Sequence, residues 1–175
     1  MDELAERLAR GEAAAFAELY DACADRLHHY LTARLGARDE ADDILQETFV
    51  RLVRTRHRLR QVEDLTAYVF TTARNEAARY GGRKARAARL RVPLQAEDLF
   101  VEAGGDAAAR EAAELVAVAL RGLNEEQREV VELKIYGGLT FREIAQVTGV
   151  PLPTAATRYR AALERLKDWL ARQPS

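Results

Sequence analysis

Apolar positions recur every three to four residues along most of the 175-residue chain, the spacing of amphipathic helices rather than the alternation of strands. The pattern predicts a short helix over 2–10 ending at Gly11, then long helices over 12–35, 38–60 and 64–80. Gly36 separates the first two long helices, and Glu63-Asp64 supplies acidic capping character to the third. Periodicity then lapses over 81–106, where GGRKARAARLRVPLQAEDLFVEAGGD holds two Gly-Gly pairs and a proline. That stretch reads as a flexible linker, and Gly81-Gly82 is expected to loosen the end of the third long helix. Helical spacing resumes over 107–120, and Asn124 with Gln127 reads as the cap of a further helix. Thr140 with Glu143 forms a capping box for the next, and a last helix runs from about Pro153 to about Arg172. The expected fold is all-α: two small helical domains, 1–82 and 107–175, joined by a linker over 83–106.

Composition agrees with this pattern. Glycine (10) and proline (4) are scarce, and alanine and leucine abound. No apolar run approaches the roughly 20 residues of a membrane span, and MDELAERLARGE lacks an apolar signal core. The single cysteine, Cys23, excludes a disulfide framework within the chain, and with His28, His29 and His57 it makes a poor metal set. Neither a metal nor a cofactor is expected, and a reducing cytoplasmic setting fits best.

Charge changes the picture more. The net value of −1 hides blocks of −7 over 1–50, +7 over 51–100, −4 over 101–150 and +3 over 151–175. Two basic zones in an otherwise acidic helical chain point to two contacts with a polyanion, leaving acidic surface for another partner.

The second basic zone carries helix-turn-helix spacing in LTFREIAQVTGVPLPTAATRYRAAL: a short helix, a glycine-containing turn and a longer helix. On the last helix, Ala155, Tyr159, Ala162, Leu163, Leu166, Trp169 and Leu170 share one side, expected to be core. Thr154, Thr157, Arg160 and Ala161 lie opposite, flanked by Ala156 and Arg158. Small residues allow a helix end to sit deep in a groove, while hydroxyls and arginines reach phosphates or base edges.

In the helix over 38–60, Ala41, Ile44, Leu45, Thr48, Phe49 and Leu52 share a core face. The opposite face presents Asp43, Gln46, Glu47, Val50 and Arg54, an apolar residue among acids and an amide, as on a protein-docking surface. In the helix over 64–80, Val69, Ala73, Ala77 and Tyr80 mark the core. Tyr68, Thr71, Arg74, Asn75, Ala78 and Arg79 lie on or beside the other face, where a ring among cations suits stacked single-stranded bases.

These residues resemble the extracytoplasmic-function (ECF) sigma factors of bacterial RNA polymerase. FAELYDACADRLHHYLTARLG, ADDILQETFVRLVR and DLTAYVFTTARNEAARYGGR are similar to the family's second conserved region. LRGLNEEQREVVELKIYGGLTFREIAQVTGVPLPTAATRYRAALERL is similar to its fourth. The resemblance implies that Asp43, Gln46, Glu47 and Val50 meet the β′ clamp helices of core polymerase, with the β flap as a further contact of the enzyme. It implies that Tyr68, Thr72, Arg74, Asn75 and Arg79 contact the melted −10 strand. The helix from Thr154 to Ala161 would read the −35 element, with Arg142 holding phosphate, and an anti-sigma protein is a partner that many relatives have. Departures are Tyr68 where relatives usually have tryptophan, Ala78 where an acid is common, and Ala156 where many have a basic residue.

The resulting expectation is a non-enzymatic initiation factor that binds core polymerase and promoter DNA without membrane insertion. A stand-alone helix-turn-helix regulator is the alternative, but it leaves the acidic docking face unexplained. A DNA-processing enzyme finds little support, since Asp39, Asp42 and Asp43 have no second carboxylate set placed for metals.

Overall fold

The computed structural model describes residues 3–88 and 107–172, all of its regular structure helical among those residues. Of the linker expected over 83–106, residues 83–88 instead continue a helix and 89–106 lie outside the described residues. Helix α1 (Glu3–Arg10) buries Ala5 and Leu8, and Gly11 turns the chain with a positive φ into α2 (Ala13–Leu35). Gly36, at φ 77°, closes α2 by donating its N–H to the Thr32 carbonyl at 2.8 Å.

Helix α3 (Arg38–Arg54) buries Ala41, Ile44, Leu45, Thr48 and Leu52, the stripe its periodicity anticipates, with Phe49 partly covered. It ends earlier than the pattern suggests, because the chain tightens into a 3-10 turn at Arg56–Gln61 that packs on α1 and buries Leu59. Asp64 then caps α4 (Leu65–Ala88), its carboxylate accepting the Ala67 N–H at 2.9 Å.

Helix α4 runs through Gly81-Gly82 rather than loosening there. A side chain at either glycine would meet nothing within 4 Å, so no packing demand kinks the backbone. The flanking Arg83, Lys84 and Arg86 are good helix formers.

In the second half, α5 (Ala107–Arg121) leads to α6 (Glu125–Ile135), α7 (Phe141–Thr148) and α8 (Leu152–Ala171). The anticipated caps are present. Asn124 accepts the Gln127 N–H at 2.8 Å. Thr140 and Glu143 exchange bonds of 2.6 and 3.2 Å. Gly149, at φ 70°, ends α7 and gives the helix-turn-helix its bend. On α8, Ala155 and Ala162 are buried and Tyr159 and Leu166 pack alongside. Leu163 and Leu170, expected in the core, are 42% and 52% exposed, although Leu166 between them packs on the cluster of Leu120 and Leu123.

The two helical units are apposed, and α4 is covered on two sides, by α2 and α3 on one and by α7 on the other. One continuous core therefore crosses between them, joining Tyr30, Phe70 and Ala73 to Leu133, Leu139, Ile144 and Val147. Leu120, Leu123, Val131 and Ala162 form a smaller core of the second unit.

Candidate nucleic-acid interface and docking face

Three faces carry the residues singled out by sequence. On α3, Asp43, Gln46, Glu47, Val50 and Arg54 are all exposed. Gln46, Val50 and Arg54 line an open groove of about 750 Å³ between α2 and α3, whereas Asp43 and Glu47 are not among its walls. The walls also include Phe16, Tyr20, Phe49 and Val53. Tyr20 leans on Phe49 with ring centroids 4.9 Å apart and stays 46% exposed, and Val53 is 43% exposed. These two were missed by sequence reasoning. The signal available was the exposed pair Val50 and Val53 one turn apart on α3, but Tyr20 belongs to a helix whose apolar residues are spread around its circumference.

On α4, the six candidates divide. Asn75 and Arg79 are exposed, and Tyr68, Thr71, Thr72 and Arg74 are partly buried. The two threonine hydroxyls turn inward to their own helix, Thr71 to the Ala67 carbonyl at 2.7 Å and Thr72 to the Tyr68 carbonyl at 2.8 Å. Arg79 bonds Glu76 at 2.7 Å, and Arg51 of α3 bonds the same carboxylate oxygen at 2.9 Å, so a buried acid ties α3 to α4. Tyr68 and Thr71 line a hollow of about 380 Å³ with Arg58, Gln61 and Asp64, and Gln146 of α7 forms part of its wall.

Arg74 is the most constrained. It makes a two-pronged pair with Glu129 of α6, at 2.6 and 3.0 Å, across a sequence separation of 55 residues. Beside it, Arg34 of α2 bonds Glu132 at 3.1 Å and also contacts Glu125. Arg26 of α2 donates to the Gly137 carbonyl at 2.8 Å and lies over the Phe70 ring. Phe70 packs so closely on the α6–α7 turn that a Cβ on Gly137 would come within 2.9 Å of its ring.

Electrostatics at this junction are those of buried charge. Burial pushes the Glu132 carboxyl up against the pull of Arg34 and Arg128. For Arg34, burial works to lower the guanidinium, but Glu132, Tyr30, Glu125 and Glu129 together outweigh it and hold it above its ordinary value. Burial also pushes the Tyr30 hydroxyl up, and that hydroxyl has no hydrogen-bond partner. Arg26, Arg34, Glu129 and Glu132 were not singled out from sequence, because their partners stand up to 112 residues away in the chain.

On the helix-turn-helix, Arg142, Thr157 and Arg160 are exposed, and Thr154, Ala156 and Ala161 are half-buried at the start of α8. Arg158 reaches back to Glu126 of α6 at 2.8 Å. Arg160 of α8 and Arg79 of α4 thus reach solvent, whereas Arg158 is held within its own unit and Arg74 by the other.

Among the described residues the chain is helical, with cationic side chains on α4 and on α8 of the helix-turn-helix and an exposed apolar groove between α2 and α3. Residues 19–87 match the family described as Sigma-70 region 2, and residues 113–166 match Sigma-70, region 4. The chain is 30% identical to the ECF RNA polymerase sigma factor SigK of Mycobacterium ulcerans, over 97% of this chain and 93% of that one. It is 33% identical to the ECF RNA polymerase sigma factor BldN of Streptomyces coelicolor over 85% of its own length, spanning 58% of that relative. In fold it is similar to CnrH, solved in complex with the cytosolic domain of CnrY, with a TM-score of 0.69, 24% identity and coverage of 98% and 97%. The chain belongs to the ECF sigma factors of RNA polymerase.

Proposed function

We propose that this chain binds core RNA polymerase through the α2–α3 groove and reads promoter DNA with α4 and α8. As an ECF sigma factor it directs promoter recognition at initiation. The groove suits a helical partner: Val50, Val53, Tyr20 and Phe49 offer apolar anchors, and Asp43, Gln46, Glu47 and Arg54 form a polar rim. Asp43, Gln46, Glu47 and Val50 are assigned to the clamp helices of the β′ subunit, with Arg54 beside them.

For the −10 element, Tyr68 is assigned to stack on a splayed base, and Arg74, Asn75 and Arg79 to follow the backbone of the melted strand. Thr71 and Thr72 have their hydroxyls bonded within α4, so their contribution is the shape of the surface. For the −35 element, Thr154, Thr157, Arg158, Arg160 and the small Ala156 and Ala161 enter the major groove, and Arg142 holds a phosphate. No bond is made or broken by the protein; strand opening draws on binding energy alone, in the cytoplasm with the polymerase. Two weak readers on one chain gain affinity together once polymerase fixes their spacing.

The observation that carries this reading is the coexistence of an exposed apolar groove on α3 with two separate cationic helix faces. It is tested by transcription of a genomic fragment library with purified core polymerase, with and without the protein. Protein-dependent start sites sharing an upstream pair of motifs are expected. Unchanged transcripts from a folded protein would overturn it.

A further inference from the structure

The turn between α3 and α4 is densely charged without being paired. RTRHRLR, residues 54–60, holds four arginines in seven positions, and Arg54, Arg56, Arg58 and Arg60 are all exposed. Among the described residues none of the four has a carboxylate partner, whereas Arg7, Arg10, Arg34, Arg51, Arg74 and Arg79 of the same unit each sit on one. Cations this close repel one another, and a short 3-10 segment has too poor a hydrogen-bond geometry to hold itself. The turn is held from beneath instead. Leu59 is wholly buried and packs the turn on α1, where Leu8 is wholly buried as well. The stem of Arg56 lies across Gly11, where a Cβ would come within 2.9 Å of its Nε, and the φ of 81° at Gly11 favours glycine.

Arg58 and Gln61 also stand in the wall of the hollow that holds Tyr68 and Thr71. Glu63 and Asp64 belong to the same wall. Their carboxylates repel a phosphate and leave the hollow to an uncharged base. The phosphates attached to such a base are then placed for the arginine ridge outside.

We propose that this turn is a phosphate-binding site: Arg56, Arg58 and Arg60 hold the backbone of the melted strand to one side of the base that stacks at Tyr68, and α1 braces the turn for that contact. The inference deepens the assignment of α4 to the −10 strand and rests on it. Single-stranded DNA is the occupant because only an unpaired base can enter a hollow beside a ring, and hollow and ridge share Arg58. An arginine with no carboxylate partner breaks no ion pair when it takes a phosphate, so each adds a full contact to affinity and to salt dependence. Arg54 belongs to the docking groove, whose wall it forms.

The test uses the holoenzyme assembled with core polymerase, with core polymerase alone as the blank. Single-stranded probes are compared by fluorescence anisotropy over a range of salt: a non-template −10 element from a mapped promoter, and the same element lengthened at its 5′ end or at its 3′ end. One lengthened probe should bind the natural holoenzyme more tightly than the −10 element alone. Arg58→Ala with Arg60→Ala should weaken that probe about 10-fold and flatten its slope of log affinity against log salt by about 1.4, at roughly 0.7 per phosphate. The −10 element alone should lose less. Arg58→Lys with Arg60→Lys should restore the slope, because a phosphate accepts either cation, a rescue that a role in the fold would not give. If the alanine variant loses its helical signal, Arg58→Gln with Arg60→Gln removes the same charges and should behave likewise. An unchanged slope, an equal loss on every probe, or a loss that lysines fail to restore would overturn the site. So would a natural holoenzyme that gains nothing from either extension. Failure of the natural holoenzyme to bind the −10 element at all would remove the assignment of α4, and the site with it.

Discussion

Helices α4 and α8 carry similar chemistry to opposite situations. Each presents threonines and arginines suited to nucleic acid, and each belongs to a different helical unit. On α8, Thr157 and Arg160 face solvent, and Arg158 is held within its own unit by Glu126. On α4, Arg74 is held by the other unit through Glu129, and Gln146 of α7 shares the hollow beside Tyr68. On α4, Asn75 and Arg79 stay exposed while Arg74 is engaged by the other unit. The lesson is that residue type identifies a reading surface, whereas availability is decided by what packs on it.

The largest effect that sharpens this comparison lies outside both readers. Val50→Arg puts an unpartnered charge into the apolar groove. Core-polymerase affinity, measured by pull-down or interferometry, should fall at least about 100-fold with the helical circular-dichroism signal unchanged, a loss of roughly 2.7 kcal/mol or more. Unchanged affinity would remove that docking face.

Next comes the covered reader. Tyr68→Ala should slow open-complex formation by about 10-fold or more, since a base stacked on an aromatic ring contributes roughly 1–3 kcal/mol. Tyr68→Trp should keep or raise the rate. Permanganate reactivity of unpaired thymines follows both, and an alanine variant that melts promoters normally would exclude Tyr68 from stacking.

The exposed reader should respond more gently. Arg160→Ala should weaken holoenzyme binding uniformly across promoters and reduce the slope of log affinity against log salt by about 1, as for loss of one phosphate contact. Arg158→Ala should instead act on the cognate −35 sequence only. A uniform loss from Arg158→Ala would make it a backbone contact rather than a reader.

The smallest effect concerns a group outside every interface. Cys23 is 4% exposed, and burial pushes its thiol up to about 11. The thiolate is the reactive form, and it is stabilised only as pH rises toward that value. Alkylation by iodoacetamide at pH 8 should therefore be negligible in the folded chain and complete in denaturant. Rapid labelling of the folded protein would mean that α2 is far less well packed than described.

What could be read from sequence was what neighbours in the chain determine. Asp64, Asn124 and the Thr140–Glu143 box cap their helices as anticipated, because a cap and its donor lie within three residues. The core stripe of α3 was legible because that helix is covered on one side. Helix α4 was only half legible. Periodicity picks out Val69, Ala73 and Ala77, all buried, but not Phe70, which is wholly buried because α4 is sandwiched and a single stripe underestimates what it hides. Glu129 and Glu132 read as ordinary surface acids; their burial depends on arginines brought close by the tertiary fold. Leu163 and Leu170 fail in the opposite sense, keeping a core pattern while they stay exposed on either side of the packed Leu166.

The central proposal is that α8 reads a duplex and α4 a melted strand once polymerase fixes their spacing. Its most direct measurement is fluorescence anisotropy with two probes from a mapped promoter, a duplex −35 fragment and a single-stranded −10 non-template oligonucleotide. Each is titrated with the free chain and with the holoenzyme. The account predicts weak binding of either probe by the free chain and tight binding of both by the holoenzyme. Single-strand binding by the free chain equal to that of the holoenzyme would contradict it.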